Sequence, residues 1–205
     1  MTRTETPWGP WEPAPLSDVV ALFSRVPVRI SWWIAGGHAI ELAVGHAFRE
    51  HADIDVLLLR RDQLAAQDAL SSWEWWAADP PGTLRPWGRG EILPMDVHDV
   101  WCRPGPSEPW RIQIMLDEAE GGAWVSRRNS RVRRALAEVG ALSGEGIPYL
   151  VPEVQLFYKA GRPRPKDELD FAAALPVLDD AQRRWLAESI DEAYGRHPWS
   201  DRLGR

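Results

Sequence analysis

WWIAGGHAIELAVGHAFREHADIDVLLL, residues 32–59, decides how the rest of the chain reads. The run 28–35, VRISWWIA, is rich in β-formers and stops at Gly36-Gly37, which predicts a buried strand. Ile40, Ala43 and Val44 then recur at helical spacing before Gly45, so 38–44 is expected to be a helix. DIDVLLL, 53–59, is a second strand, and alternation sends Asp53 and Asp55 to one face and Ile54 and Val56 into the protein. Two carboxylates held so close repel each other unless a cation joins them, and hard oxygen donors that leave room for water and phosphate suit Mg²⁺. Taken alone, such a pair is as often a solvated strand face.

The Gly36-Gly37 pair changes that balance. A glycine turn that opens a helix leaves backbone N–H groups at a terminus whose dipole favours an anion, which puts a phosphate cradle before a carboxylate strand. The Gly-Lys-Ser/Thr ending of a Walker loop is absent from GGHAIELAVG.

Upstream, residues 1–15 are proline-rich and polar and are expected to form a surface arm. A helix over 17–23 follows, with Ser17 placed to cap it. Downstream, 61–70 reads as a helix, and 73–94, rich in Pro, Gly and Trp, offers short strands at best. WRIQIMLD, 110–117, sets Ile112, Ile114 and Leu116 against Arg111, Gln113 and Met115 and predicts a third strand. After it the texture turns helical. Pro152 opens 153–160, a short helix covers 167–175, and Asp179 with Gln182 forms a capping box before Leu186, Ile190, Ala193 and Tyr194. The fold class is therefore α/β (α+β): a small mixed-sheet domain with an N-terminal arm over 1–125, followed by a C-terminal helical bundle over 126–205.

Composition narrows the function. At 205 residues and 44% hydrophobic content the chain can bury a core of its own. No apolar run approaches the roughly 18 residues of a membrane span, and the start lacks a signal-peptide layout, so a cytoplasmic protein with no membrane partner is expected. Cys102 is the one cysteine, which rules out a disulfide framework and paired-thiolate metal sites. The net charge of −6 disfavours a nucleic-acid partner without excluding a local basic patch. Thirteen Trp against three Tyr and four Phe is an unusual excess, read as core and loop packing with a few rings left to stack on a substrate. The sequence carries no signal for the oligomeric state.

The 32–59 stretch resembles the amino-terminal signature of the aminoglycoside and lincosamide nucleotidyltransferases, members of the DNA-polymerase-β-like nucleotidyltransferase superfamily. The shared features are a Gly-Gly turn, a helix, an Arg-x-His pair and an Asp-x-Asp strand. YLVPEVQLFYKAGRPRPKDELDF, 149–171, is also similar to a segment of bacterial proteins assigned to this group. The resemblance implies that Gly36 and Gly37 lie by the nucleotide phosphates, that Asp53 and Asp55 bind Mg²⁺, and that a third carboxylate on a later strand completes the site, for which Asp117 is the choice. The implied reaction moves a nucleoside monophosphate from an NTP, ATP first, to a hydroxyl on a small-molecule acceptor such as an aminoglycoside-like antibiotic. His38 departs from the Trp that drug-modifying members usually carry there, and the Trp-rich middle matches none of them.

Further candidates come with competing readings. His38, Arg49 and His51 flank the pair and are nucleotide contacts or solvated loop residues. Asp117 is shared metal ligand, general base or strand-end cap, with Asp96 and Asp99 as rivals. Arg127 and Arg128 suit a triphosphate clamp or a solvated surface. Lys159, in the apolar VPEVQLFYKA, either snorkels or reaches the nucleotide. Two other functions remain open: a nucleotidyltransferase acting on tRNA or on a protein partner of toxin–antitoxin type, and a non-catalytic nucleotide-binding module.

Overall fold

The computed structural model describes residues 4–26 and 30–204. In chain order its elements begin with β1 (Thr4–Thr6), β2 (Gly9–Trp11), α1 (Leu16–Ser24), β3 (Trp32–Ile34), α2 (Gly36–Val44), β4 (Asp55–Leu59), α3 (Gln63–Ala69), β5 (Glu74–Ala77), β6 (Arg85–Pro86) and β7 (Asp99–Arg103). They continue with β8 (Ile112–Glu120), β9 (Ala123–Val125), β10 (Arg133–Ala135), β11 (Gly140–Leu142), β12 (Pro148–Leu150), α4 (Pro152–Ala160), α5 (Pro165–Ala174), α6 (Asp180–Tyr194) and α7 (Pro198–Arg202). The fold is mixed α/β, with helices at the C-terminal end. Two compact units divide it, one of residues 1–34 and 50–117, the other of 35–49 and 118–205. Neither is a single run of sequence, and the boundary expected near residue 125 falls inside the second.

The first unit is built on a sheet in the order β3-β4-β8-β7-β5-β6. β4 and β8 are parallel, and the other pairs along this order are antiparallel. Val56 to Leu59 are all buried, as in a strand covered on both faces. Ile112, Ile114 and Leu116 of β8 and Val100 and Cys102 of β7 are buried too. The expected strand over 28–35 is seen as Trp32–Ile34, and Val28 and Arg29 lie outside the described residues. The expected N-terminal arm is instead the β1–β2 hairpin, with Gly9 at a φ of +102° where β2 leaves the turn, a conformation only glycine adopts cheaply. Helix α1 starts at Leu16 after Pro15 with no side-chain cap, because the Ser17 hydroxyl turns to Asp18.

The second unit packs α2, α4, α5, α6 and α7 around Ile40, Phe157, Phe171, Leu186, Ile190 and Trp199, all essentially buried. Its span after residue 125 is less purely helical than expected. The hairpin of β11 and β12 and the strand β10 precede α4, each only three residues long, too short to show a period in sequence. The helix ends follow their signals closely. Gly45 closes α2 at a φ of +87°, and Pro152 occupies the first turn of α4. Asp179 and Gln182 form the reciprocal capping box of α6, at 2.8 and 2.9 Å. Among the described residues, no helix is long and apolar enough to cross a membrane.

Because Asp179 satisfies an N–H that opens the longest helix, Asp179→Ala is expected to cost about 0.5–2 kcal/mol. At this chain length that corresponds to a Tm drop of a few degrees. An unchanged thermal melt would show that α6 holds its first turn by packing alone.

Candidate active site

The carboxylate pair lies where β4 begins. The N–H of Gln113 donates to the carbonyl of Ile54 at 3.0 Å, so the ladder reaches back past Asp55 and keeps 53–55 extended. Ile54 and Val56 are fully buried while Asp53 and Asp55 are half-buried, as alternation requires of residues on opposite faces. Asp55 pairs with Gln113 on β8, Gln113 with Trp101 on β7, and Trp101 with Trp76 on β5. These four form one rank across the sheet on the face that carries the aspartates. The Gln113 amide nitrogen donates to Asp99 at 3.3 Å. Sequence reading had counted Gln113 only as the polar side of a strand; the register makes it the residue directly beside Asp55.

The third carboxylate stands elsewhere. Asp117 pairs with Leu59, four residues further along than Asp55, or about 13 Å at the usual rise per strand residue. It is wholly buried. The structure therefore does not bring Asp117 to Asp53 and Asp55, because β8 runs on to Glu120 instead of ending at the cleft. Of its rivals, Asp96 is in an exposed turn, and Asp99 touches the rank of Asp55 through Gln113. Arg60 pins this turn, donating to the carbonyls of Pro94 and Met95 at 2.9 and 3.4 Å.

Asp53 also lines a cavity of about 200 Å³, together with Thr4, Thr6, Trp11, Ala52, Trp101 and Gln113. A larger hollow of about 300 Å³ lies among Trp73, Trp75, Trp76 and Trp87 toward the other edge of the sheet. Its acidic residue, Glu74, is paired with Arg103 at 2.7 Å. His51 lies half-buried just before Asp53.

In the second unit, Gly36 and Gly37 form the buried N-terminus of α2, with Gly36 at a φ of +66°. The Gly36 N–H, expected to face an anion, donates to the Gln155 side chain at 2.8 Å. His38 lies 3.9 Å from Glu41, whose carboxylate accepts the N–H groups of Phe48 and Arg49 and so closes the loop after α2. Arg49 holds Asp170 through two hydrogen bonds of 2.6 and 3.0 Å. Lys159 sits between Asp167 and Asp170 at 3.0 and 2.9 Å. Arg49, read as a nucleotide contact or a solvated loop residue, and Lys159, read as snorkelling or reaching the nucleotide, both direct charge into ion pairs within this unit, since leaving it buried and unpaired would cost far more. Arg127 lies 5.1 Å from the Tyr158 ring centre, and the exposed Arg128 caps a turn through its N–H to Ser126. Burial pushes the Tyr194 phenol up, and the charges of Arg128 and Arg127 oppose this, which places both arginines near that ring.

The family comparison makes the chain a nucleotidyltransferase, a class that its mixed sheet and Asp-x-Asp strand fit. It belongs to the aminoglycoside-2''-adenylyltransferase family, whose model matches residues 15–174. Comparison with curated protein sequences gives no match. Among solved structures, the fold is similar to that of ANT(2'')-Ia in complex with adenylyl-2''-tobramycin, at 12% identity and a TM-score of 0.50, covering 84% of this chain and 97% of that one. It is similar also to the lincosamide antibiotic adenylyltransferase LnuA with lincomycin bound, at 15% identity and a TM-score of 0.54, covering 80% and 96%.

The buried ion pairs make a prediction of their own. Burial alone would raise Asp170, but the Arg49 hydrogen bond and the Lys159 charge outweigh it and hold the carboxyl below its ordinary value. Asp167 is likewise held well below by Arg164 and Lys159 against its burial. Their contribution is thus full above the unfolded value of about 4 and is lost as the pH falls through the lower folded values. Asp170→Asn, at a side chain with no exposure, should cost about 3–5 kcal/mol at neutral pH and flatten the acid limb of a stability–pH curve. An unchanged acid limb would deny the network its role.

Proposed function

We propose that the chain transfers a nucleoside monophosphate from an NTP, ATP first, to a hydroxyl of a small molecule, acting in the cytoplasm where its nucleotide is abundant. The family and the two similar structures support an antibiotic of the aminoglycoside or lincosamide kind as acceptor. The observation that carries the reading is the pairing of Asp53 and Asp55 on one sheet face with the Gln113 amide in register beside them. Two carboxylates and an amide oxygen are hard donors that fit Mg²⁺ and leave positions for phosphate oxygens. The chemistry that ion supplies is neutralisation of charge on the triphosphate as pyrophosphate departs. Asp53 and Asp55 hold the site's negative charge at the start of a buried strand, so their positions vary little. Asp99 fixes the amide nitrogen of Gln113 and thereby its orientation. For Gly36 and Gly37, contact with the nucleotide stays a proposal resting on the resemblance; for His38, His51, Arg127 and Arg128 it rests on their chemistry and place in the chain.

The register of Asp117 with Leu59, about 13 Å along the strand from Asp55, favours a second reading, a nucleotide-binding module without turnover.

One experiment separates the two. Incubated with Mg²⁺, each of ATP, GTP, CTP and UTP, and an acceptor panel of aminoglycosides, lincosamides, tRNA and cell lysate, the protein should release pyrophosphate and label a small molecule. Asp53→Asn and Asp55→Asn should lower that rate by at least about a hundredfold while leaving the melting temperature without metal unchanged or slightly higher. Mg²⁺ with nucleotide should raise the melting temperature more than nucleotide with chelator. Metal-dependent nucleotide binding with no transfer to any acceptor would establish the second reading.

A further inference from the structure

Trp73, Trp75, Trp76 and Trp87 surround the hollow of about 300 Å³, which lies wholly within the first unit. It sits at the β6 edge of the sheet, where β6 pairs with only Trp76 and Ala77 of β5. Just past that pairing the Trp87 N–H closes on the Trp75 carbonyl at 2.8 Å. Trp76 ends the rank that begins at Asp55, three strands away, or about 14 Å at the usual strand spacing. The hollow and the carboxylate pair are therefore separate places.

We propose that this hollow is a second ligand site, for an uncharged molecule of one or two flat aromatic rings. Its floor sets the apolar part. Trp75 and Trp87 are only 5% and 6% exposed, and their rings meet at 81° with centres 5.5 Å apart, a corner that offers a face and an edge to a third ring. Both indole donors are spent inward, Trp75 on the Leu70 carbonyl at 3.2 Å and Trp87 on the Glu91 carbonyl at 2.8 Å. Gln67 is engaged too: its amide nitrogen donates to the Trp87 and Gly88 carbonyls, and its oxygen accepts the Gly90 N–H. The floor thus presents ring carbon, against which a highly polar ligand would lose its hydrogen bonds to water. Trp73 and Trp76 are half-buried, and the ring surface they leave in water is what a flat ligand covers. The charges decide against an ion. Glu74 meets Arg103 at 2.7 Å, and at the rim Arg89 meets Asp68 at 3.2 Å. A cation would find Glu74 already taken, and an anion reaching Arg89 would also face Asp68, so either would give up water without gaining a partner. A single hydroxyl or N–H on the ligand has the exposed Ser71 hydroxyl at the mouth. The volume is at the lower end of the roughly 300–1,000 Å³ of small-molecule sites, room for a ring or two and not for a peptide segment.

The test is saturation-transfer NMR on the whole chain with four probes of one size: benzyl alcohol, benzoate, benzylamine and cyclohexylmethanol. Wild-type protein should bind benzyl alcohol, bind the two ions at least about tenfold more weakly, and bind the saturated alcohol at least about twofold more weakly. Trp73→Ala removes a half-buried wall and Ser71→Trp fills the mouth from an exposed position, so each should weaken benzyl alcohol by about fivefold or more. Thermal melts check that each variant is folded, and if Trp73→Ala is not, Ser71→Trp decides. Asp53→Asn should leave the binding unchanged. No binding of benzyl alcohol to wild type, a charged or saturated probe bound as well as it, or binding that survives the wall variants overturns the proposal. Loss of binding in Asp53→Asn overturns it too, since the probe would then lie in the smaller cavity.

Discussion

Gln113 donates its backbone N–H to the Ile54 carbonyl, and through that bond the sheet sets which side chains meet. Side chains on a strand have a period of two, so a one-residue slip between β4 and β8 would turn Asp55 inward and expose Val56. Such a slip would put Ile54 and Val56, both fully buried, at the half-buried places of Asp53 and Asp55 and carry the two carboxylates into the core. At about 1.5–3 kcal/mol for each large apolar side chain, that loss adds to the larger cost of burying two carboxylates. The core on one face therefore holds the aspartates in place on the other, and the rank of Asp55, Gln113, Trp101 and Trp76 follows from the same constraint.

The second unit meets its constraint with charge. Arg49, Lys159, Asp167 and Asp170 are each nearly or fully buried at the side chain, and such groups survive only when every charge is met. Arg49 ends the loop after α2, Lys159 belongs to α4, and both acids belong to α5, so one cluster ties three parts of this unit together. Glu41 and Gln155 do the same with neutral or backbone partners, at the loop after α2 and at its first turn. Lys159, a cation within an apolar stretch, thus helps to fasten α4 to α5.

Much of this was legible in sequence. The Gly-Gly turn, α2, the Asp-x-Asp alternation and the α6 capping box are local, since each is fixed by residues within one turn or a few strand positions. The strands of three residues between 123 and 150 were not, because alternation needs more positions than they have. The hairpin at the start was hidden by its prolines, and its order comes from Trp110, about a hundred residues away. Gln113 and Asp117 show the same limit within the site. Their strand and faces could be read, but their rank beside β4 depends on a register that no local pattern contains.

That register gives Gln113 a meaning beyond its place in β8. A carboxylate at this position would set a third negative charge on the strand adjoining Asp55, and close like charges at low dielectric repel strongly. The amide supplies an oxygen of similar reach without the charge, and its nitrogen occupies Asp99, which would otherwise face the same patch. Two charges, not three, then remain for a divalent ion to balance. A triphosphate brings its own negative charge, so a patch of two carboxylates is better matched to an ion that arrives with the nucleotide than to one bound beforehand. Under the proposed function, a neutral side chain here would leave metal recruitment more to the substrate than to the protein, at a position set by the strand register.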